Sequence, residues 1–134
     1  MTSKSIGQLK SPHIPVSWGE LFDKISILEI KKEKAADQTS LKNVNNELGI
    51  LREIIPENVL AHEEIYRLRI QLKTINQNIW DIEDEIRIKE SFNDFSQSFI
   101  VLARNTYLFN DNRASIKRKI NNILNSEIIE EKIY

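Results

Sequence analysis

Carboxylates and cations are the side chains of this sequence that could do chemistry, because cysteine is absent. Without cysteine there is no thiolate nucleophile, no disulfide and no cysteine-based metal site. Only two histidines, His13 and His62, are present, which argues against a histidine-rich transition-metal site. The G-x-S-x-G, H-E-x-x-H and Walker A motifs are also missing. The chemistry left to consider is a hard cation held by carboxylates, or an anion held by lysine and arginine.

Two carboxylate pairs have the one-turn spacing that suits magnesium on packed helices. Glu20 and Asp23 form the first pair, and Asp81 and Asp84 form the second. Such pairs supply the oxygen ligands that Mg²⁺ prefers, and all-α nucleotide pyrophosphohydrolases use E-x-x-E and E-x-x-D pairs in this way. Here the first pair departs from that pattern and the order differs. A magnesium-dependent hydrolase of a nucleotide or phosphorylated sugar is therefore the alternative interpretation, and the leading one requires no metal or cofactor.

Arg104 is a cation in the most apolar stretch of the chain, between Ile100 and Leu108. A guanidinium buried there needs a partner, because an unpaired buried charge costs several kcal/mol. Glu83 and Asp84 are candidates for a structural ion pair, as are the carboxylates of the first helix. A ligand carboxylate or phosphate is the sharper alternative, since arginine clamps either one with two hydrogen bonds.

Charge is segregated along the sequence. The stretch from Asp81 to Glu90 has five acids against two bases. A basic cluster follows later in the chain: Arg113, Lys117, Arg118 and Lys119. These segments could face each other or face water, or the basic cluster, near Tyr107 and a helix N-terminus, could hold an anion. Nucleic-acid binding is not expected, because there is no aromatic interleaving and no glycine-rich loop.

Helices must position these groups. Apolar residues recur at spacings of three and four, no strand pattern is present, and there are only three glycines and three prolines. The sequence predicts an all-α fold, a helical bundle of about five helices in a single domain over residues 1–134. Residues 1–16 are predicted to form an extended N-terminal arm, and residues 126–134 a short C-terminal tail.

The helix bounds follow from capping signals. Ser17 and Glu20 form a capping box for helix 1, predicted over about residues 18–36. Thr39 or Ser40 is the predicted cap of helix 2, which continues to about residue 55, where a proline breaks or kinks the chain. Helix 3 is predicted as one long central helix over about residues 57–90. Helix 4 starts after residues 93–94 and should be the most buried, and helix 5 starts after residues 110–111.

Two packing expectations concern helix 3. At ~1.5 Å per residue its 34 predicted residues extend about 51 Å, about twice the length of helices 1 and 2. Shorter helices laid end to end, or a second subunit, must flank it, and we expect a homodimer. A second stripe, Asn76, Trp80, Glu83 and Arg87, lies away from the apolar seam. We expect this stripe to pack on another helix and to draw Glu83 inwards, although a plain Glu83–Arg87 surface pair also satisfies the spacing.

The composition also indicates a location. The net charge is −1, no apolar run is long enough to span a bilayer, and the N-terminus lacks the apolar region of a signal peptide. These features predict a cytoplasmic protein that binds neither nucleic acid nor membrane.

Three segments, at residues 15–31, 79–87 and 99–132, resemble the pattern of a small bacterial family of unknown function. They include PVSWGELFDKISILEIK, IWDIEDEIR, LARNTY, NDNRA and IKRKIN. The resemblance covers nearly the full length and implies no activity, but it implies which polar residues belong to the shared pattern. These are Ser17, Glu20, Asp23, Lys24, Glu29, Glu83, Asp84, Arg87, Arg104, Asn110, Asp111, Arg113, Lys117 and Arg118.

We expect these polar residues to converge where the start of helix 1, the end of helix 3 and the turn between helices 4 and 5 meet. Without Glu29, and with Trp80 and Tyr107 added, they are the candidate ligand-binding residues. The leading hypothesis is a non-enzymatic binding or oligomerisation module. Its polar site between helices would take a small anionic ligand or a protein partner.

Overall fold

The computed structural model describes residues 5–134 and contains five α-helices in this part of the chain. They are α1 (Trp18–Lys34), α2 (Gln38–Arg52), α3 (Glu57–Leu60), α4 (Glu63–Ser91) and α5 (Gln97–Ile123). The predicted all-α fold is confirmed, since no strand occurs among the described residues. Residues 5–16 of the predicted N-terminal arm are exposed and have no regular structure, and the rest of that arm lies outside the described residues. No helix within residues 5–134 combines the length and apolarity needed to cross a membrane.

The first helix starts at the predicted cap. The Ser17 hydroxyl accepts a hydrogen bond from the Glu20 amide at 3.0 Å, which satisfies one of the free amides of the first turn. Leu21, Ile25 and Leu28 on one face of α1 are buried. The helix ends at Lys34, two residues earlier than predicted.

The cap of α2 is Asp37 and not the predicted Thr39 or Ser40. Its carboxylate accepts hydrogen bonds from both the amide and the hydroxyl of Ser40, at 2.7 and 2.9 Å. The helix ends at Arg52, before the predicted end. Pro56 does break the chain, and it adopts an extended conformation at the N-cap of the short helix α3.

The predicted helix over residues 57–90 is two helices in the structure. Helix α3 ends at Leu60, and a new helix starts after His62, whose Nδ1 atom accepts a hydrogen bond from the Ile65 amide at 3.3 Å and so caps α4. The long helix α4 therefore has 29 residues and is about 44 Å long at ~1.5 Å per residue.

The predicted helices 4 and 5 are, by contrast, a single helix. No glycine or proline interrupts residues 97–123, and the side chains of Asn110 and Asp111 do not cap a new helix but bind Arg113 and Lys132. The start of α5 also differs, because its N-cap is Ser96. Asn93 has a positive φ of 52°, the left-handed conformation that commonly ends a helix, here α4.

The helices α4 and α5 form an antiparallel hairpin, and α1 covers one end of it. Among the helices of the described residues, α1 packs on α2, α4 and α5, whereas α2 packs on α1 alone. The largest fully buried apolar side chains lie in this covered end: Phe22, Ile25, Ile30, Leu48, Ile65, Leu72 and Ile120. The core is therefore confined to one end of the hairpin.

The other end of the hairpin, residues 81–108, is named here the distal arm. It contains the stretch predicted to be most buried, and that prediction is wrong. Ile100 and Val101 are each 45% exposed and Tyr107 is 55% exposed. The reason is topological, because among the described helices α5 packs only on α4 and α1, and its polar contacts with α1 lie beyond the arm, between residues 113 and 121.

Candidate functional site

Asp23 is the centre of a polar cluster between α1, α4 and α5. Its side chain is only 1% exposed, so a carboxylate is buried on the same helix as the apolar core residues. The Arg113 guanidinium donates through Nη2 to Oδ2 at 2.7 Å and through Nε to Oδ1 and Oδ2 at 3.1 and 3.2 Å. This two-pronged geometry is the strongest form of the arginine–carboxylate pair.

Asn76 on α4 completes the shell of Asp23. Its Nδ2 atom donates to Asp23 Oδ1 at 2.8 Å and to Ser26 Oγ at 2.7 Å. The Ser26 hydroxyl in turn donates to the Asp23 carbonyl at 2.7 Å. Among the described residues no buried side-chain nitrogen or oxygen lacks a partner. The buried charge is therefore compensated entirely from within the chain.

Lys117, one turn after Arg113, adds a second cation to this cluster. Its Nζ atom lies 2.7 Å from Glu20 Oε2 and 3.7 Å from Asp23 Oδ2. Glu20 and Asp23 lie three residues apart on α1, and Arg113 and Lys117 lie four apart on α5, so the two pairs align across the interface. We call Glu20, Asp23, Asn76, Arg113 and Lys117 the ionic junction.

Gly19 is required where α1 meets α5. A Cβ atom at this position would lie 2.6 Å from the Lys117 carbonyl oxygen, closer than any side chain tolerates. The Gly19 amide donates to Asn121 Oδ1 at 2.7 Å, and both residues are buried. The close approach made possible by glycine is what brings the junction residues within hydrogen-bonding distance.

The C-terminal segment, residues 124–134, returns along α5 to the start of α1. The Ser126 amide donates to the Asn121 carbonyl at 2.8 Å, and its hydroxyl accepts from the Trp18 amide at 3.3 Å. The Glu130 carboxylate accepts from the Ser17 hydroxyl and from Asn121 Nδ2. Burial raises the pKa of Glu130, but these hydrogen bonds and the nearby Lys117 outweigh it, so the pKa lies below its ordinary value.

Further along, the same segment makes exposed ion pairs with α5. Arg118 Nη2 lies 3.2 Å from Glu131 Oε2, and Lys132 pairs with Asp111. The hydrogen bond from Lys132 lowers the pKa of Asp111, and the same bond raises the pKa of Lys132. The Tyr134 hydroxyl also donates to Asp111, at 3.2 Å.

Between α5 and this segment lies a cavity of about 530 Å³, which we call the C-terminal cleft. Its charged lining consists of three bases and three acids: Lys117, Arg118, Lys132, Asp111, Glu130 and Glu131.

The structure brings together only part of the candidate set. The residues at the junction, the cleft or their rim are Ser17, Glu20, Asp23, Asn110, Asp111, Arg113, Lys117 and Arg118. Lys24 is on α1 beside Asp23 but is exposed. The others lie at or on the distal arm: Trp80, Glu83, Asp84, Arg87, Arg104 and Tyr107. The expected convergence with the end of helix 3 is therefore wrong.

The reasons for this separation are visible in the arm. Glu83 is exposed and pairs with Arg87 at 4.0 Å, as the plain surface interpretation of their spacing predicts. Trp80 is half-buried, with Lys34 Nζ 5.9 Å from its ring centre, so the stripe meets α1 at that point and is open to solvent beyond it. Arg104, expected to be buried and paired, is exposed and has no carboxylate within ion-pair distance among the described residues.

The carboxylates considered for magnesium do not form one site. Glu20 and Asp23 are engaged by Arg113 and Lys117, whereas Asp81 accepts from Gln77 on the exposed face of α4. Within residues 5–134 no group of three or more histidines and carboxylates is arranged to hold a metal ion.

Several residues of the site were not assigned to it from the sequence: Ser26, Asn76, Asn121, Ser126 and Glu130. Asn76 was placed on a packing stripe but not recognised as the partner of Asp23. For Asn76 the available signal was a polar residue at apolar spacing, since it follows Leu72 by four. Glu130 belongs to a segment quoted in the resemblance, but its reach to Ser17 spans 113 positions.

Comparison with protein families finds one that spans almost all of this arrangement. A family of unknown function, DUF6165, matches residues 13–134, which include both the junction and the cleft. The chain belongs to this family. Comparisons with curated proteins and with solved structures find no match.

Proposed function

We propose that this DUF6165 protein is a non-enzymatic binding module that takes a small anionic ligand in the C-terminal cleft. The observation that carries this proposal is a difference among the cations around the cleft. Arg113 and Lys117 pair with the buried Asp23, whereas the carboxylates that pair with Arg118 and Lys132 are exposed.

This difference decides which cations are available to a ligand. The side chains of the Arg118–Glu131 pair are 50% and 67% exposed. An ion pair of this kind contributes only about 0–1 kcal/mol, so a ligand anion can replace Glu131 at little cost. Removing Arg113 from Asp23 would instead leave a buried carboxylate unpaired, which costs several kcal/mol. We therefore assign ligand contact to Arg118 and Lys132, and a structural role to Arg113.

The charge balance of the cleft also restricts the ligand. Its three bases and three acids cancel, so long-range attraction of an anion is weak and binding depends on close contacts. Arg118 presents a planar fork that fits a carboxylate or phosphate with two hydrogen bonds, and Lys132 adds a point charge. A small dianion that replaces Glu131 at Arg118 and competes with Asp111 for Lys132 meets these conditions.

Thermal unfolding with added anions tests the proposal. Inorganic phosphate and pyrophosphate should raise the melting temperature in a saturable way, because a ligand that binds only the folded state stabilises it by mass action. Sodium chloride at matched ionic strength should not reproduce the rise. Arg118→Gln should abolish it, whereas Lys119→Gln, an equal charge loss at the adjacent exposed position, should preserve it. A rise of equal size in both variants, or no rise with either anion, would overturn the proposal.

A further inference from the structure

Seven large apolar side chains of the distal arm are exposed. They are Ile88, Phe92, Phe95, Ile100, Val101, Tyr107 and Leu108, each between 45% and 79% exposed. Those on α5 recur at helical spacing along one outward face, and Arg104 is the only charged residue between positions 97 and 110. Contiguous apolar surface of this kind marks an interface with another protein, whereas single exposed apolar residues do not.

The α4 side of the same arm has the opposite character. Asp81, Glu83, Asp84 and Glu85 are all exposed. Arg87 is the exposed base of this stretch and is already close to Glu83 and Asp84. The stretch from Asp81 to Glu90 has a net charge of −3, from five acids and two bases. One helix of the arm is thus apolar with a single cation, and the other is acidic.

We infer that the distal arm is a self-association surface, on which a second copy of this chain packs arm against arm. The two α4–α5 hairpins form a four-helix bundle around a two-fold axis. The apolar face of α5 in each copy lies against the arm of the other, and each Arg104 faces the acidic stretch of α4 in the second copy. The inference concerns a different surface from the C-terminal cleft and does not depend on ligand binding there.

Two features support a second copy as the occupant. The arm carries both the cation and the acidic stretch, so a two-fold pairing forms the contact between Arg104 and the acidic stretch twice. The two helices of the arm, about 10 Å in diameter and ~18 Å long, have a projected area of roughly 360 Å². This area is below the ~800 Å² per partner of a standard interface, which fits a dimer that dissociates on dilution.

Sedimentation velocity over a wide range of protein concentration tests the inference. The wild-type chain should sediment as a dimer that dissociates on dilution. Tyr107→Asp should weaken the dimer by about thirtyfold or more, the effect expected of a central aromatic anchor. Tyr66→Asp is the matched control, because Tyr66 is exposed to nearly the same extent, 57% against 55%, but lies near the other end of α4. It should leave the dimer unchanged.

A charge exchange tests the orientation of the pair. Arg104→Glu should weaken the dimer by about tenfold by facing the acidic stretch with a like charge. Adding Glu83→Arg and Asp84→Arg to that chain should restore it. The inference is overturned if the wild-type chain remains monomeric throughout, if Tyr66→Asp and Tyr107→Asp have equal effects, or if the charge exchange restores nothing. Retained helical circular dichroism in each variant ensures that association and not folding is measured.

Discussion

The two ends of the α4–α5 hairpin differ in which side chains they bury and which they expose. At the covered end polar groups are buried, and each finds a partner inside the chain, with Asp23 held by Arg113 and Asn76. At the distal arm apolar groups are exposed, and no part of residues 5–134 covers them. The same two helices pass through both environments, so the difference comes from what packs on them and not from the helices themselves.

This contrast separates residues that hold the fold together from residues available to partners. A buried polar network with every partner present makes the arrangement of its helices specific, and it has little left to offer a ligand. An exposed apolar face has the reverse properties. We therefore assign structural specificity to the ionic junction, and recognition to the C-terminal cleft and the distal arm.

Removing the Asp23 carboxylate should lower the free energy of unfolding by more than any of the changes described below. Asp23→Ala leaves Arg113 and Asn76 without their shared acceptor, and breaking a buried pair from one side costs about 3–5 kcal/mol. Urea unfolding should show this loss in the free energy of unfolding. Asp81→Ala, which removes an exposed carboxylate bonded only to Gln77, should change it by less than about 0.5 kcal/mol. Equal losses in the two variants would contradict the structural role of the junction.

Alanine substitutions at Gly19 and Gly49 should change the stability of the fold in opposite directions. Gly19→Ala places a methyl group 2.6 Å from the Lys117 carbonyl oxygen, and such overpacking costs about 1–3 kcal/mol. Gly49→Ala on α2 meets nothing within 4 Å and should stabilise by about 0.5–1 kcal/mol through helix propensity. Thermal melts of both variants give the comparison. A Gly19→Ala protein as stable as the wild type would show that α1 and α5 do not pack closely.

Acid should release the C-terminal segment with a smaller effect. The folded-state pKa values of Asp111 and Glu130 are lowered from 3.8 and 4.5. Their contribution is therefore complete above those ordinary values and is lost as the pH falls through the lowered folded-state values. Amide NMR signals of residues 126–134 should remain unchanged from neutral pH to about 5 and shift below about 4. Signals that shift near neutral pH would contradict this assignment.

The smallest loss of stability is expected from breaking a surface ion pair that bridges α1 and α4. Lys73 Nζ lies 2.8 Å from Glu33 Oε1, and the two side chains are 38% and 56% exposed. Lys73→Ala should cost no more than about 1 kcal/mol, far less than Asp23→Ala. A larger loss in urea unfolding would show that surface pairs and not the buried junction position α1 on α4.

Local signals in the sequence predicted local structure well. The Ser17 cap, the apolar face of α1 and the break at Pro56 follow from capping and backbone chemistry within a few residues. The same signals gave wrong helix bounds where tertiary contacts determine whether a helix continues. Asn110 and Asp111 look like a helix cap, but Arg113 and Lys132 bind their side chains, so the helix continues through them.

The sequence indicated several residues of the site but not which of them contact each other. Asp23 and Arg113 were both singled out, but 90 positions separate them, and nothing local indicates that they meet. Arg104 was expected to need a partner because its helix is apolar, and apolarity alone does not show whether a helix is covered by its own chain. The homodimer and the ligand both remain predictions.

Amide NMR spectra of the wild-type chain recorded on dilution test the contrast between the two ends most directly. We predict that concentration-dependent chemical-shift changes are confined to residues 81–108, while signals of α1 and of residues 113–126 keep their positions. Changes centred on the ionic junction, or spectra that do not depend on concentration, would contradict the assignment of the distal arm as the surface left for a second copy.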